Sequence, residues 1–141
     1  MEAWRRVFRE GLAPLLSDED LAVLTEALRS NDPRLLQGAT TRPSPLQCAS
    51  GWPVEAACLI AYPAVIRLGG FYGAWNSARV GQVTEAFAET CFEINRRLGE
   101  PAACRYLLQF FDDRPRTEVI VSLLLEVERE LTKRGAYTCG T

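Results

Sequence analysis

Apolar residues recur every three to four positions through most of this 141-residue chain, with charged or small residues between them. That is the period of an amphipathic α-helix packing one face against a core. Over residues 2–16, Trp4, Val7, Phe8, Leu12, Leu15 and Leu16 fall near one face and Arg5, Arg6 and Arg9 turn away, with Pro14 ending or bending the helix at about Ala13. Ser17 followed by Asp18-Glu19-Asp20 reads as an N-cap with acids in the first turn, where they complement the helix dipole. The second helix then buries Leu21, Leu24, Ala27 and Leu28 and stops before Ser30-Asn31. Asp32 caps a brief third helix that starts at Pro33 and runs to about Gln37, closed by Gly38.

Residues 38–52 carry two prolines and no sustained period, and form the first long loop. A fourth helix is expected over 53–62, opening at Pro53, apolar nearly all round and therefore central, with Pro63 ending or kinking it. The second irregular stretch, 67–78, concentrates three glycines and three aromatics. Val80, Val83, Phe87, Cys91, Ile94 and Leu98 define a fifth helix over 79–98, stopped by Gly99. Pro101 opens a sixth helix through Phe111, and Pro115 a seventh through Arg134, stopped by Gly135. Extended candidates reduce to short pieces near Leu46-Gln47-Cys48 or Phe71-Tyr72, and no internal repeat is evident. The reading is an all-α, compact single-domain bundle of six or seven helices with two long irregular loops, spanning 1–135 and followed by a short tail, 136–141.

Composition narrows the chemistry. There is no histidine, so Ser-His-Asp and Cys-His catalysis, histidine metal sites and an imidazole pH switch are excluded within the chain. Any catalysis would rest on carboxylates, arginine, tyrosine or thiol. The five cysteines, Cys48, Cys58, Cys91, Cys104 and Cys139, form no C-x-x-C pair, and their odd number argues against a disulfide framework. Cys58, Cys91 and Cys104 fall in apolar patterns where a thiol behaves as a small hydrophobe, and Cys139 sits in the tail. A net charge of −2 disfavours electrostatic attachment to nucleic acid. The apolar run Ala56–Ile66 is interrupted by Pro63 and shorter than a membrane span, and the N-terminus lacks signal-peptide features, so a cytoplasmic protein without a membrane partner is expected.

Motifs that bear on chemistry are few. Glu85, Glu89 and Glu93 repeat every four residues on the solvent side of the fifth helix, without the facing Glu-x-x-His of a di-metal site. Asp112-Asp113 serve a helix corner. The run Gly69-Gly70-Phe71-Tyr72-Gly73 lacks the Gly-Lys-Ser/Thr ending of a phosphate loop. Neither a cofactor, a metal site nor a catalytic set is therefore expected. Trp52 beside Pro53, and Arg67, Phe71, Tyr72 and Trp75 after the central helix, are the types enriched at interface hot spots. They point to a protein partner, self or other, bound by loop aromatics with arginine giving orientation, as in an adaptor or assembly domain. The alternative is a small-molecule-binding protein or enzyme whose pocket lies between helix 53–62 and loops 38–52 and 67–78, lined by Glu55, Arg67, Tyr72 and Trp75.

Overall fold

A computed structural model describes residues 1–38, 54–71 and 75–135, together with the backbone of 46–48. Among these residues the architecture is all-α, with six α-helices and one small antiparallel strand pair. The N-terminal helix is built of three geometries in series: α1 (Ala3–Arg6), a π-helical segment (Val7–Leu12) and a 3-10 turn (Ala13–Leu15). Two residues explain the departure from α geometry. Pro14 has no N–H to donate to the Glu10 carbonyl, which instead accepts from Arg97 Nε at 3.3 Å. Gly11 lies so close to the helix over Ser77–Leu98 that a Cβ would sit 2.9 Å from Ile94 Cγ2 and 2.9 Å from Leu98 Cδ2.

Helix α2 (Asp18–Arg29) begins with a complete capping box: Asp20 N–H donates to Ser17 Oγ at 3.1 Å and Ser17 N–H donates to Asp20 Oδ2 at 3.0 Å. Asn31, at φ +51°, takes the left-handed position that closes it. The expected helix over 33–37 is absent. Asp32 instead makes an Asx turn, accepting from Arg34 N–H at 2.9 Å, and Leu35 enters a parallel bridge with Ala57. Leu36 N–H donates to Ala57 O at 2.8 Å and Ala57 N–H to Arg34 O at 2.9 Å.

The expected central helix 53–62 is also corrected. Val54–Ala57 is strand β2, paired antiparallel with β1 (Leu46–Cys48), and β1 occupies one of the two places where the sequence allowed a strand. Gln47 pairs with Ala56 and Cys48 with Val54, so Glu55 is the extra residue of a bulge. A short apolar run covered on both faces carries no periodicity that separates strand from helix. The helix that does form, α3 (Ala61–Arg67), places Pro63 in its first turn, where no intrahelical donor is needed. Pro63 thus belongs to a helix start and does not terminate one.

Helix α4 (Ser77–Leu98) is capped by Asn76, whose Oδ1 accepts from Arg79 N–H at 2.8 Å, and stops at Gly99, φ +70°. Helices α5 (Cys104–Asp113) and α6 (Arg116–Arg134) complete the bundle. One continuous core joins Phe8, Leu12, Leu21, Leu24, Leu59, Val65, Ile94, Leu107, Phe111, Leu123 and Val127. Within it α2 lies along α6, and the π-helical segment lies on α4.

Candidate functional site

The corner between α3 and α4 holds Arg67, Phe71 and Trp75, three of the residues singled out in the sequence. Phe71 is buried, 5.5 Å from Tyr62 ring to ring, with the Arg34 guanidinium 5.3 Å from its centroid. Tyr62 Oη donates to Asp32 Oδ2 at 3.2 Å, and Arg34 grips the same carboxylate through Nε and Nη2. Burial first, then the Asp32 charge and hydrogen bond, push the Tyr62 phenol up to about 12. The Arg79 guanidinium lies 3.8 Å from the Trp75 centroid and donates from Nη2 to Gly70 O at 2.7 Å. That contact fixes the Gly69-Gly70 turn, where both glycines have positive φ. The Trp75 Nε1 is buried with no acceptor among the described residues. Arg67 turns back to Asp20, Nη1 to Oδ2 at 2.8 Å.

Phe71, Trp75 and Arg67 are therefore engaged with their own chain, while Glu55 is exposed on the β2 bulge. Trp52 and Tyr72, with most of loop 38–52, lie outside the described residues. Helix 53–62, one wall of the expected pocket, does not exist, so the pocket as drawn from the sequence loses that wall.

Several arginines elsewhere are likewise architectural. Arg5 and Arg9, expected on a solvent face, converge on the buried carboxylate of Glu126: Arg5 Nη1 to Oε1 at 2.6 Å, Arg9 Nε to Oε2 at 2.7 Å and Arg9 Nη2 to Oε1 at 2.8 Å. Arg116 donates to Leu35 O at 2.9 Å and Asp32 O at 2.7 Å, and desolvation lowers its guanidinium's affinity for the proton. Arg134 donates to Leu16 O at 2.7 Å and to Ala13 O at 2.6 Å, which also accepts from Leu16 N–H at 3.1 Å, and so ties down the end of the N-terminal helix. The planar fork lets one side chain satisfy two acceptors, which lysine does less well. A further stack runs Arg5, Trp4, Phe110, Arg114: the two rings are parallel at 3.7 Å, with guanidinium groups 4.5 Å and 4.9 Å from their respective ring centroids.

The outer face of α4 differs. At 100° per residue, Phe92 points about 160° away from the buried Ile94. Phe92 is 66% exposed, the most exposed aromatic among the described residues. Gly81, Glu85, Ala88, Glu89, Phe92 and Arg96 share this face, and all are exposed. Two shallow hollows flank Phe92. One, about 390 Å³, is bounded by Ala88, Glu89, Phe92 and Glu93; the other, about 360 Å³, by Phe92, Asn95, Arg96, Gly99, Glu100 and Pro101. Arg96 folds back on Glu93, Nη2 to Oε2 at 2.8 Å, in an exposed pair of little energetic weight. Phe92 was not among the residues the sequence singled out. The available signal was an aromatic placed off the Val83, Ile94, Leu98 stripe of an otherwise amphipathic helix.

Among the described residues no group of His, Cys, Asp or Glu could hold a metal ion, and no helix is long and apolar enough to cross a membrane. Comparisons with protein-family models, curated proteins and solved structures return no match.

Proposed function

We propose that this chain is a non-enzymatic assembly domain that pairs with a second copy of itself through the outer face of α4. The observation that carries the reading is Phe92, exposed between two hollows on the helix face directed away from the core. Phenylalanine is among the aromatic residues enriched in interface cores relative to the rest of the surface. A second copy is the occupant because the face is self-complementary. Its N-terminal half carries Glu85, and its C-terminal end carries Arg96. An antiparallel pair with Phe92 seated over the partner's Ala88 has its two-fold axis near residue 90. At 1.5 Å per residue, Arg96 then lies within about 1.5 Å, along the axis, of the partner's Glu85. Opposed helix dipoles favour the same direction, and Gly81 and Ala88 allow the two helices to approach. One helix per protomer is a contact at the small end of specific interfaces, so association depends on concentration.

Sedimentation equilibrium over a concentration series tests this. The wild type is expected to pass from monomer to dimer, and Phe92→Glu to remain monomeric. Glu85→Arg and Arg96→Glu are each expected to weaken pairing, and their combination to restore it. A wild type that stays monomeric, or a combined variant that fails to recover, overturns the proposal.

A further inference from the structure

Cys91 lies on the flank of α4 and Cys104 opens α5. The two helices are pinned together here by Asn95, one turn beyond Cys91 on the same side of α4. Asn95 Oδ1 accepts from the Cys104 backbone N–H at 2.9 Å, and its side chain also hydrogen-bonds the Cys104 sulfur. The Cys91 thiol lies within hydrogen-bonding reach of the same sulfur. Cys91 is half-buried and Cys104 keeps only a small exposed surface, so a small oxidant reaches the pair from its edge. Both thiols are free.

We infer that Cys91 and Cys104 are a dithiol oxidation site, which a two-electron oxidant of the peroxide class converts to an intrachain disulfide. The roles of the two sulfurs follow from their surroundings. Cys104 accepts hydrogen bonds from Cys91, Asn95 and its own backbone amide and lies near Arg105; together these outweigh burial and hold its thiol below the ordinary range. Cys91 is the donor of the shared bond, and that bond, burial and the neighbouring sulfur keep its proton in place. Cys104 is thus the attacking sulfur and Cys91 the resolving one. Cys58 is fully buried, its thiol pushed up to about 11 by desolvation, and it remains reduced.

Cys104 ionises, its thiolate attacks one peroxide oxygen, the O–O bond breaks, and the departing hydroxide takes up the proton released on ionisation and leaves as water. Cys104 now carries a sulfenic S–OH. The Cys91 sulfur attacks the Cys104 sulfur, the S–O bond breaks, and the hydroxide leaves with the Cys91 proton as a second water. Two thiols and one hydrogen peroxide become one disulfide and two waters, with the sulfurs closing to about 2 Å.

The reduced full-length protein is treated with hydrogen peroxide, alkylated under denaturing conditions and digested with trypsin, which cuts between the two cysteines. A peptide linking Cys91 to Cys104, with Cys58 alkylated, is expected. Cys91→Ser is expected to accumulate a dimedone adduct on Cys104, and Cys104→Ser to give neither link nor adduct at these positions. Asn95→Ala is expected to slow the reaction several-fold. If Cys91 and Cys104 both remain alkylatable after Cys48 or Cys139 has been oxidised, or if the link joins another pair, the site is refuted. The wild-type result decides this even if a variant fails to fold.

Discussion

Replacing Glu126 by glutamine tests whether the arginines of the first helix are structural members or surface charge. The Glu126 side chain is 2% exposed and receives three charge-assisted hydrogen bonds, from Arg5 at 2.6 Å and from Arg9 at 2.7 and 2.8 Å. Breaking a buried ion pair costs about 3–5 kcal/mol when the remaining charge is stranded. Arg5 and Arg9 keep 27% and 29% of their side chains exposed, so both recover hydration when the carboxylate is removed. Glutamine retains one acceptor oxygen but presents an amide donor to a guanidinium donor. The expected loss is therefore lower, about 2–3 kcal/mol, or roughly 6–10 °C in Tm for a domain of this size. Urea unfolding followed by circular dichroism measures it, and a double-mutant cycle with Arg9→Gln isolates the coupling. The reasoning is refuted if Glu126→Gln costs less than about 0.5 kcal/mol or if the two changes simply add.

The same variant has a pH signature. Burial alone raises the Glu126 carboxyl, but the hydrogen bonds from Arg9 and Arg5 and their charges outweigh it, so its folded pKa lies below the unfolded one. The folded state consequently binds fewer protons between the two values. The stability that Glu126 contributes is complete above the unfolded carboxylate range, near about 4.3, and is lost as pH falls through the folded value. Glu126→Gln should flatten the acid limb of stability against pH. It should not abolish that limb, because Asp32, held down mainly by its hydrogen bond from Arg34, titrates in the same sense.

Other consequences are open to measurement. Trp4→Ala removes the ring stacked at 3.7 Å on Phe110 and should cost about 3–5 kcal/mol in urea unfolding; a loss below about 1 kcal/mol would mean that the stack packs loosely. Gly11→Ala places a methyl 2.9 Å from both Ile94 and Leu98, and overpacking should exceed the gain in helix propensity by about 1 kcal/mol. Adding Leu98→Ala should recover part of that loss, and strictly additive costs would contradict the proposed clash. In a difference ultraviolet alkaline titration of wild type against Tyr62→Phe, the step that the variant loses should lie at about 12. A lost step near about 10 would show that Asp32 and burial do not act on it.

The long helices were legible because burial writes a period into their sequences. Val83 and Ile94 on α4, and Val119, Leu123, Val127 and Leu131 on α6, are buried where the spacing puts them. Ser17, Gly99 and Gly135 mark helix ends through chemistry local to the chain. The middle of the protein was misread for a physical reason. Val54–Ala57 owes its extended form to hydrogen bonds with Arg34, Leu36 and the β1 backbone, partners that no local pattern can name. Proline is ambiguous in the same way: Pro63 breaks a helix that begins before it and starts one that begins two residues earlier.

By itself, then, the sequence determined an all-α bundle, the positions of the longer helices and the absence of histidine chemistry within the chain. Those properties depend on residue type and on contacts within a few positions. Only the tertiary structure decided that Arg5 and Arg9 hold a buried carboxylate 117 or more residues away. It also decided that Phe71 fills the core, that Phe92 does not, and that the Cys91 and Cys104 sulfurs come within hydrogen-bonding reach. Each of those outcomes depends on which helix faces which, and that pairing is set by the shape and charge of the whole core.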